Sequence, residues 1–133
     1  MPAHENKQRI HAFFEALGRG NRQALHELCC EDLDWTVPQG AALHAGTHSG
    51  AGHVFELMLS SVGDAFVMGS QRINFDLIVA EGEVVMAEAS VHAKGTNGRD
   101  YNNVYVFVFE FEDGKIRKLR EHVDTRYASE FFV

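Results

Sequence analysis

The sequence predicts an α+β fold in which N-terminal helices pack over a strongly curved antiparallel sheet. Three observations carry this. Apolar residues recur at helical spacing through the first part of the chain. From Ala65 onward, apolar runs are separated by turn signals, as in a strand meander. The last two of those runs mix large apolar side chains with a few polar groups, the pattern of a sheet curved around a small molecule.

Ile10, Phe13, Phe14 and Leu17 place an amphipathic helix over about residues 5–17. Gly18-Arg19-Gly20 ends it, and Asn21 is suited to cap a second helix whose buried stripe is Ala24, Leu25, Leu28 and Cys29. Leu33-Asp34-Trp35-Thr36-Val37 reads as a short strand stopped by Pro38. Residues 38–50, rich in Gly, Ala and His, read as a loop and a candidate lid. A third helix is expected from about Ala51 to Val62, burying Val54, Phe55, Met58 and Leu59. Strands follow near 66–79, 83–94, 101–112 and 115–123, divided by Glu81-Gly82, Thr96-Asn97-Gly98 and Asp113-Gly114. Asp124 then reads as the N-cap of a terminal helix.

With 133 residues and 45% apolar content, residues 1–133 are expected to form a single domain with one core. A net charge of −7 without a basic cluster argues against nucleic-acid binding, which depends on phosphate neutralisation. No apolar run approaches the ~20 residues of a membrane span, and the polar N-terminus has no signal-peptide core, so a cytoplasmic location is expected. Cys29 and Cys30 are adjacent, which suits burial better than a disulfide framework. His44, His48 and His53 match no zinc signature, and no metal or cofactor is expected. Phosphate-cradling loops, dinucleotide-binding glycine patterns and a nucleophile elbow are absent from the sequence.

The order of three helices, short strand and four-strand meander resembles the nuclear transport factor 2-like cone. Within it, the chain resembles SnoaL-like and ketosteroid-isomerase-related proteins. The residues that carry this are Glu31-Asp32-Leu33-Asp34-Trp35, Ser49-Gly50, Gly98-Arg99-Asp100-Tyr101-Asn102, and Asp113-Gly114-Lys115-Ile116 leading to Glu121-His122-Val123-Asp124. The resemblance implies the fold more firmly than the reaction, because such folds host many chemistries. In ketosteroid isomerases the general base precedes a proline in the short strand; that position here is Val37, which takes no proton. Carried over from limonene epoxide hydrolases, the last-strand aspartate falls on Glu121 and the Arg-x-Asp pair on Glu88-Ala89-Ser90. The tyrosine falls on Trp35 and the asparagine on Val37, so one carboxylate remains and the arginine does not. Both specific activities are therefore set aside.

Strand alternation groups Glu88, Ser90 and His92 on one face, Asn103, Tyr105 and Phe107 on the next strand, and Leu119, Glu121 and Val123 on the last. The resemblance implies that these faces and Trp35 line the cavity. Glu121 and His92 are the expected catalytic pair, and Trp35, Glu88, Ser90, Asn103, Tyr105, Phe107, Leu119 and Val123 the expected substrate contacts. The expected function is cofactor-independent acid/base chemistry of isomerase, cyclase or hydratase/lyase type on a hydrophobic carbonyl compound. The alternative is a non-catalytic member that binds a small hydrophobic ligand or associates through its sheet. Val104, Val106, Val108 and Glu110 form the other face of their strand, and that apolar face is expected to meet a second copy in a homodimer.

Overall fold

The computed structural model describes residues 2–132. Helix α1 (Pro2–Arg19) is followed by α2 (Arg22–Leu28), β1 (Cys29–Val37), β2 (Gly46–Ser49) and α3 (Ala51–Ala65). Strands β3 (Arg72–Glu81), β4 (Val84–Lys94), β5 (Asp100–Glu112) and β6 (Lys115–Val123) then lead into α4 (Thr125–Phe132). The six strands form one curved, unclosed sheet in the order β2-β1-β6-β5-β4-β3.

The helices form where apolar spacing and capping agree. Ile10 and Phe13 of α1 are fully buried. The helix closes with hydrogen bonds from Gly20 N to the Leu17 carbonyl (3.1 Å) and from Asn21 N to the Ala16 carbonyl (2.9 Å), a Schellman arrangement. The Asn21 side chain then accepts from Ala24 N at 3.1 Å and starts α2, so one residue serves both helix ends. In α3, Val54, Phe55 and Met58 are buried against the core.

Three expectations about the sheet need correction. The sheet is mixed, because β1 runs parallel to β6 with Trp35 opposite Leu119 and Thr36 opposite Arg120. The remaining neighbours are antiparallel. The parallel pair is invisible to turn signals, since its strands lie at opposite ends of the sequence. The segment expected to be loop over residues 38–50 contains β2, whose Thr47 and His48 pair with Thr36 and Trp35. Four residues of Gly, Thr, His and Ser at an edge carry little strand propensity of their own. The strand expected near 66–79 begins at Arg72, and Phe66 makes only an isolated bridge to Gly95.

All three N-terminal helices cover one face. Phe14 of α1 lies against Phe75, Phe107 and Phe109, with ring centroids 4.8–5.9 Å apart. The matching face of β4 carries buried Val85, Ala87, Ala89 and Ala93, whose small side chains admit the helices closely. A second cluster forms at the far end of β4 and β5, where Tyr101 packs against Phe66, Tyr127, Phe131 and Phe132. Asp124 caps α4 by accepting from Tyr127 N at 3.1 Å, which helps hold this cluster in place.

Gly95 sits where α4 meets the sheet. A Cβ there would lie 2.5 Å from Phe131 Cζ and 3.0 Å from the Arg99 carbonyl oxygen. Gly95→Ala is expected to lower unfolding free energy by about 1–3 kcal/mol through overpacking. Gly63→Ala, at a helical position with open space around it, is expected to raise it by about 0.4–1 kcal/mol. Urea unfolding of both variants checks the opposite signs.

Candidate functional site

Between the helices and the concave face of the sheet lies a cavity of about 310 Å³. Phe13, Phe14 and Leu17 of α1 and Met58 of α3 form one wall. The sheet wall carries Trp35 and Val37 from β1, Tyr105 and Phe107 from β5, and Leu119, Glu121 and Val123 from β6. Ala41, Ala42, Leu43 and His44 of the β1–β2 connection close over it, while Phe66, Ala128 and Phe132 line the end nearest α4. Such a mixture of apolar wall and sparse polar groups is the usual composition of a small-molecule site.

The chief polar group is the Glu121 carboxylate. β1 and β6 run parallel, and the Trp35 indole Nε1–H donates to Glu121 Oε1 at 2.8 Å. Burial among apolar neighbours pushes the Glu121 carboxyl up from 4.5 to about 7, and the indole hydrogen bond pulls partly the other way. Desolvation wins because one neutral donor does not replace the water shell of a carboxylate. The group therefore exchanges its proton near neutral pH, the range in which a carboxyl serves as both acid and base.

Two phenols stand nearby. Tyr101 Oη and Tyr105 Oη are 2.7 Å apart, and Asn103 Nδ2 donates to Tyr101 Oη at 3.0 Å. Burial is the main cause raising both tyrosines, with the Glu121 charge adding to it, so both stay protonated as donors. The Tyr105 and Phe107 rings stack within 8° of parallel, giving that wall a flat face.

Of the residues singled out from sequence, Trp35, Tyr105, Phe107, Leu119, Glu121 and Val123 line the cavity. Glu88, Ser90 and His92 do not, which corrects the expectation for β4. Its inward residues are Val85, Ala87, Ala89, Val91 and Ala93; the polar set alternates onto the opposite face. There His92 Nδ1 bonds Asn102 Oδ1 at 2.7 Å, and Ser90 Oγ donates to Asp76 Oδ2 at 2.7 Å. Glu121 and His92 thus sit on opposite faces of the sheet and form no catalytic pair. Asn103 is buried but lies outside the cavity lining, with its amide spent on Tyr101 Oη and on the Asp124 carbonyl at 3.3 Å.

Tyr101 and His44 are among the cavity residues that were not singled out from sequence. Tyr101 continues the alternation of Asn103, Tyr105 and Phe107 by one more step, so the signal was present. His44 lines the cavity from a loop and has φ +58, a left-handed conformation that costs a non-glycine residue energy. His48, with its ring 5.5 Å from that of Trp35, holds this loop through a 2.7 Å hydrogen bond from Nε2 to the His44 carbonyl. Among the described residues no three His, Cys, Asp or Glu side chains converge as metal ligands. Cys29 and Cys30 are free; burial pushes the Cys29 thiol up to about 12, which leaves it unreactive.

The SnoaL-like domain family matches residues 10–119. An NTF2-like protein from Burkholderia xenovorans LB400 is 26% identical, with 96% of this chain and 95% of that one aligned at a TM-score of 0.78. Bal32a, from a soil-derived mobile gene cassette, is 23% identical and aligns over 100% of both chains at 0.86. TerC, crystallised with polyporic acid, is 20% identical over 96% of this chain and 97% of its own, at 0.81. No curated protein matches the sequence.

The Glu121 environment has a measurable consequence for stability. Between about pH 4.5 and 7 the unfolded carboxyl is ionised while the folded one holds its proton, so the folded state binds more protons. Stability therefore falls as pH rises through that window, by about 3 kcal/mol in total at about 1.4 kcal/mol per pH unit. Chemical denaturation at a series of pH values should show this loss in the wild type and not in Glu121→Gln. Trp35→Phe, which removes the donor that favours the carboxylate, should carry the loss to higher pH.

Proposed function

The chain belongs to the SnoaL-like domain family, and on that premise we propose that it is a small-molecule enzyme in which Glu121 performs acid/base chemistry on a hydrophobic carbonyl compound. The observation that carries the proposal is a single carboxyl, its pKa raised to about 7, in a largely apolar cavity with a phenol donor beside it. Glu121 as carboxylate takes a proton from the carbon next to the substrate carbonyl. Tyr105 donates a hydrogen bond to the carbonyl oxygen as enolate charge develops there. The protonated Glu121 then returns its proton at another position, which completes an isomerisation, or to a leaving or ring-closing centre in lyase and cyclase variants. These steps use only side chains of the cavity and call for no cofactor.

The flat Tyr105–Phe107 wall favours a planar or ring-containing substrate. Polyporic acid, found with TerC, supports a search among small organic ligands. Ketosteroid isomerase chemistry is left out because the position of its base is Val37, a buried apolar residue. Limonene epoxide hydrolysis is left out because it needs a second acid and a bridging arginine, whereas Glu88 and Ser90 stand at those positions. The free thiols of Cys29 and Cys30 agree with a cytoplasmic setting. The six strands of one sheet support treating residues 1–133 as one SnoaL-like domain.

A second reading, ligand binding without catalysis, is favoured by the Trp35 hydrogen bond, which already occupies one Glu121 oxygen. Proton NMR of 2-tetralone in deuterated buffer separates the two. The enzyme reading expects the wild type to accelerate α-proton exchange and Glu121→Gln to lose at least about 10²-fold of that acceleration. His92→Ala, on the other face, should stay within about twofold, as an uninvolved surface residue would. Binding without exchange favours the second reading, and undiminished exchange in Glu121→Gln contradicts the first.

The proposal includes a homodimer through the convex sheet face. Leu77, Val79, Met86 and Val104 there are 58%, 49%, 42% and 52% exposed, while the helices pack on the other side. Exposed apolar area of this kind on adjacent strands favours a self-complementary contact. Sedimentation at micromolar concentration should give a dimer for the wild type and a monomer for the double variant Met86→Glu, Val104→Lys. A wild-type monomer would end the dimer proposal.

A further inference from the structure

We infer that Asn103 and Tyr101 are positioning residues that fix the direction of hydrogen bonding through Tyr105, so that Tyr105 presents its phenolic proton to an oxygen acceptor on the cavity ligand. The inference rests on the reading of the cavity as a carbonyl site and assigns to two residues outside the reacting atoms a defined part in it. The Asn103 amide cannot be turned over. Its Oδ1 accepts from Val104 N at 2.9 Å, and its Nδ2 donates to Tyr101 Oη at 3.0 Å and to the Asp124 carbonyl at 3.3 Å. Reversal would set Oδ1 against a carbonyl oxygen and the NH2 group against a backbone N–H.

Tyr101 Oη is therefore an acceptor toward Asn103. The residue is fully buried, so water does not take its proton, and the acceptor within reach is Tyr105 Oη at 2.7 Å. Donation from Tyr101 to Tyr105 satisfies every group in the buried part of the chain. The opposite direction would strand the Tyr101 proton without a partner, at a cost of about 1–3 kcal/mol. With its oxygen already accepting, Tyr105 has its own proton left to give, and its ring lines the cavity. The site thus favours ligands that bring an acceptor oxygen, such as a carbonyl, enolate or phenolate, over ligands that bring a donor. Polarisation along successive hydrogen bonds strengthens the last donor in the series.

The anchor of this series is also structural. Asp124, whose carbonyl holds the Asn103 amide, caps α4, and Tyr127 of α4 accepts from Asn102 N through its hydroxyl at 3.0 Å. Docking of the last helix is thereby coupled to the alignment of a donor in the cavity.

Protein carrying 13C-labelled tyrosine tests the direction without a variant. The slowly exchanging hydroxyl proton between the two rings should correlate with carbons of Tyr101; correlation with Tyr105 would overturn the inference. Binding of 2-acetylnaphthalene, a ketone that brings an acceptor oxygen and no donor, provides the second readout. Tyr105→Phe should weaken it about tenfold, the worth of one hydrogen bond. Tyr101→Phe should weaken it by a smaller factor, and the double variant no more than Tyr105→Phe alone, because Tyr101 acts only through Tyr105. Additive losses, or no binding of 2-acetylnaphthalene, would overturn the ligand half of the inference. Loss of α-proton exchange activity bears on Glu121 and leaves the hydroxyl assignment untouched, so the two accounts fail separately.

Discussion

The parallel pairing of β1 with β6 joins the first third of the chain to its last strand, and most of the architecture follows from it. Trp35 comes to lie opposite Leu119, and its indole reaches the Glu121 carboxylate. The helices on either side of β1 are carried onto the same concave face, where Leu25, Phe55 and Met58 join the core. The β1–β2 connection is brought over the cavity, and His48 fastens it there. Without this pair the meander β3–β6 would be a sheet with one apolar face and no roof.

Within that frame the cavity balances two opposing effects. Enclosing Glu121 among Leu119, Val123 and aromatic rings removes water from a carboxylate, an expensive change. The Trp35 N–H offsets part of it but leaves the protonated form favoured up to about pH 7. A cation beside the carboxylate would have lowered this pKa, and an apolar surrounding without Trp35 would have carried it higher still. The group is thus poised between forms, with Tyr101 and Tyr105 held protonated at one side by the same burial. A site that both takes and returns a proton at neutral pH needs this intermediate condition.

Much of the fold was legible in the sequence because its signals are local. Helical spacing at Ile10 and Phe13, the Asn21 cap and the Asp113-Gly114 turn each act over a few residues. The parallel β1–β6 contact and the short edge strand β2 were hidden because both depend on partners far away in sequence. The site was legible by halves for a related reason. On β5 and β6 the apolar neighbours of Tyr105 and Glu121 marked the inward face. On β4 both faces alternate plausibly, and the inward one proved to be the line of valines and alanines that admits α1, so Glu88, Ser90 and His92 point outward. Polarity alone misidentified the cavity face; side-chain size would have been the better guide. Asn103 lies on the inward side but exerts its influence through Tyr101.

The central claim is that Glu121 is a neutral-range acid/base group in a largely apolar cavity. The most direct test is a pH titration of the Glu121 side-chain carboxyl by 13C NMR, assigned by its absence in Glu121→Gln. The account predicts a midpoint near 7 in the free protein. A midpoint at the ordinary glutamate value of about 4.3 would mean that water reaches the carboxylate freely, and would contradict it.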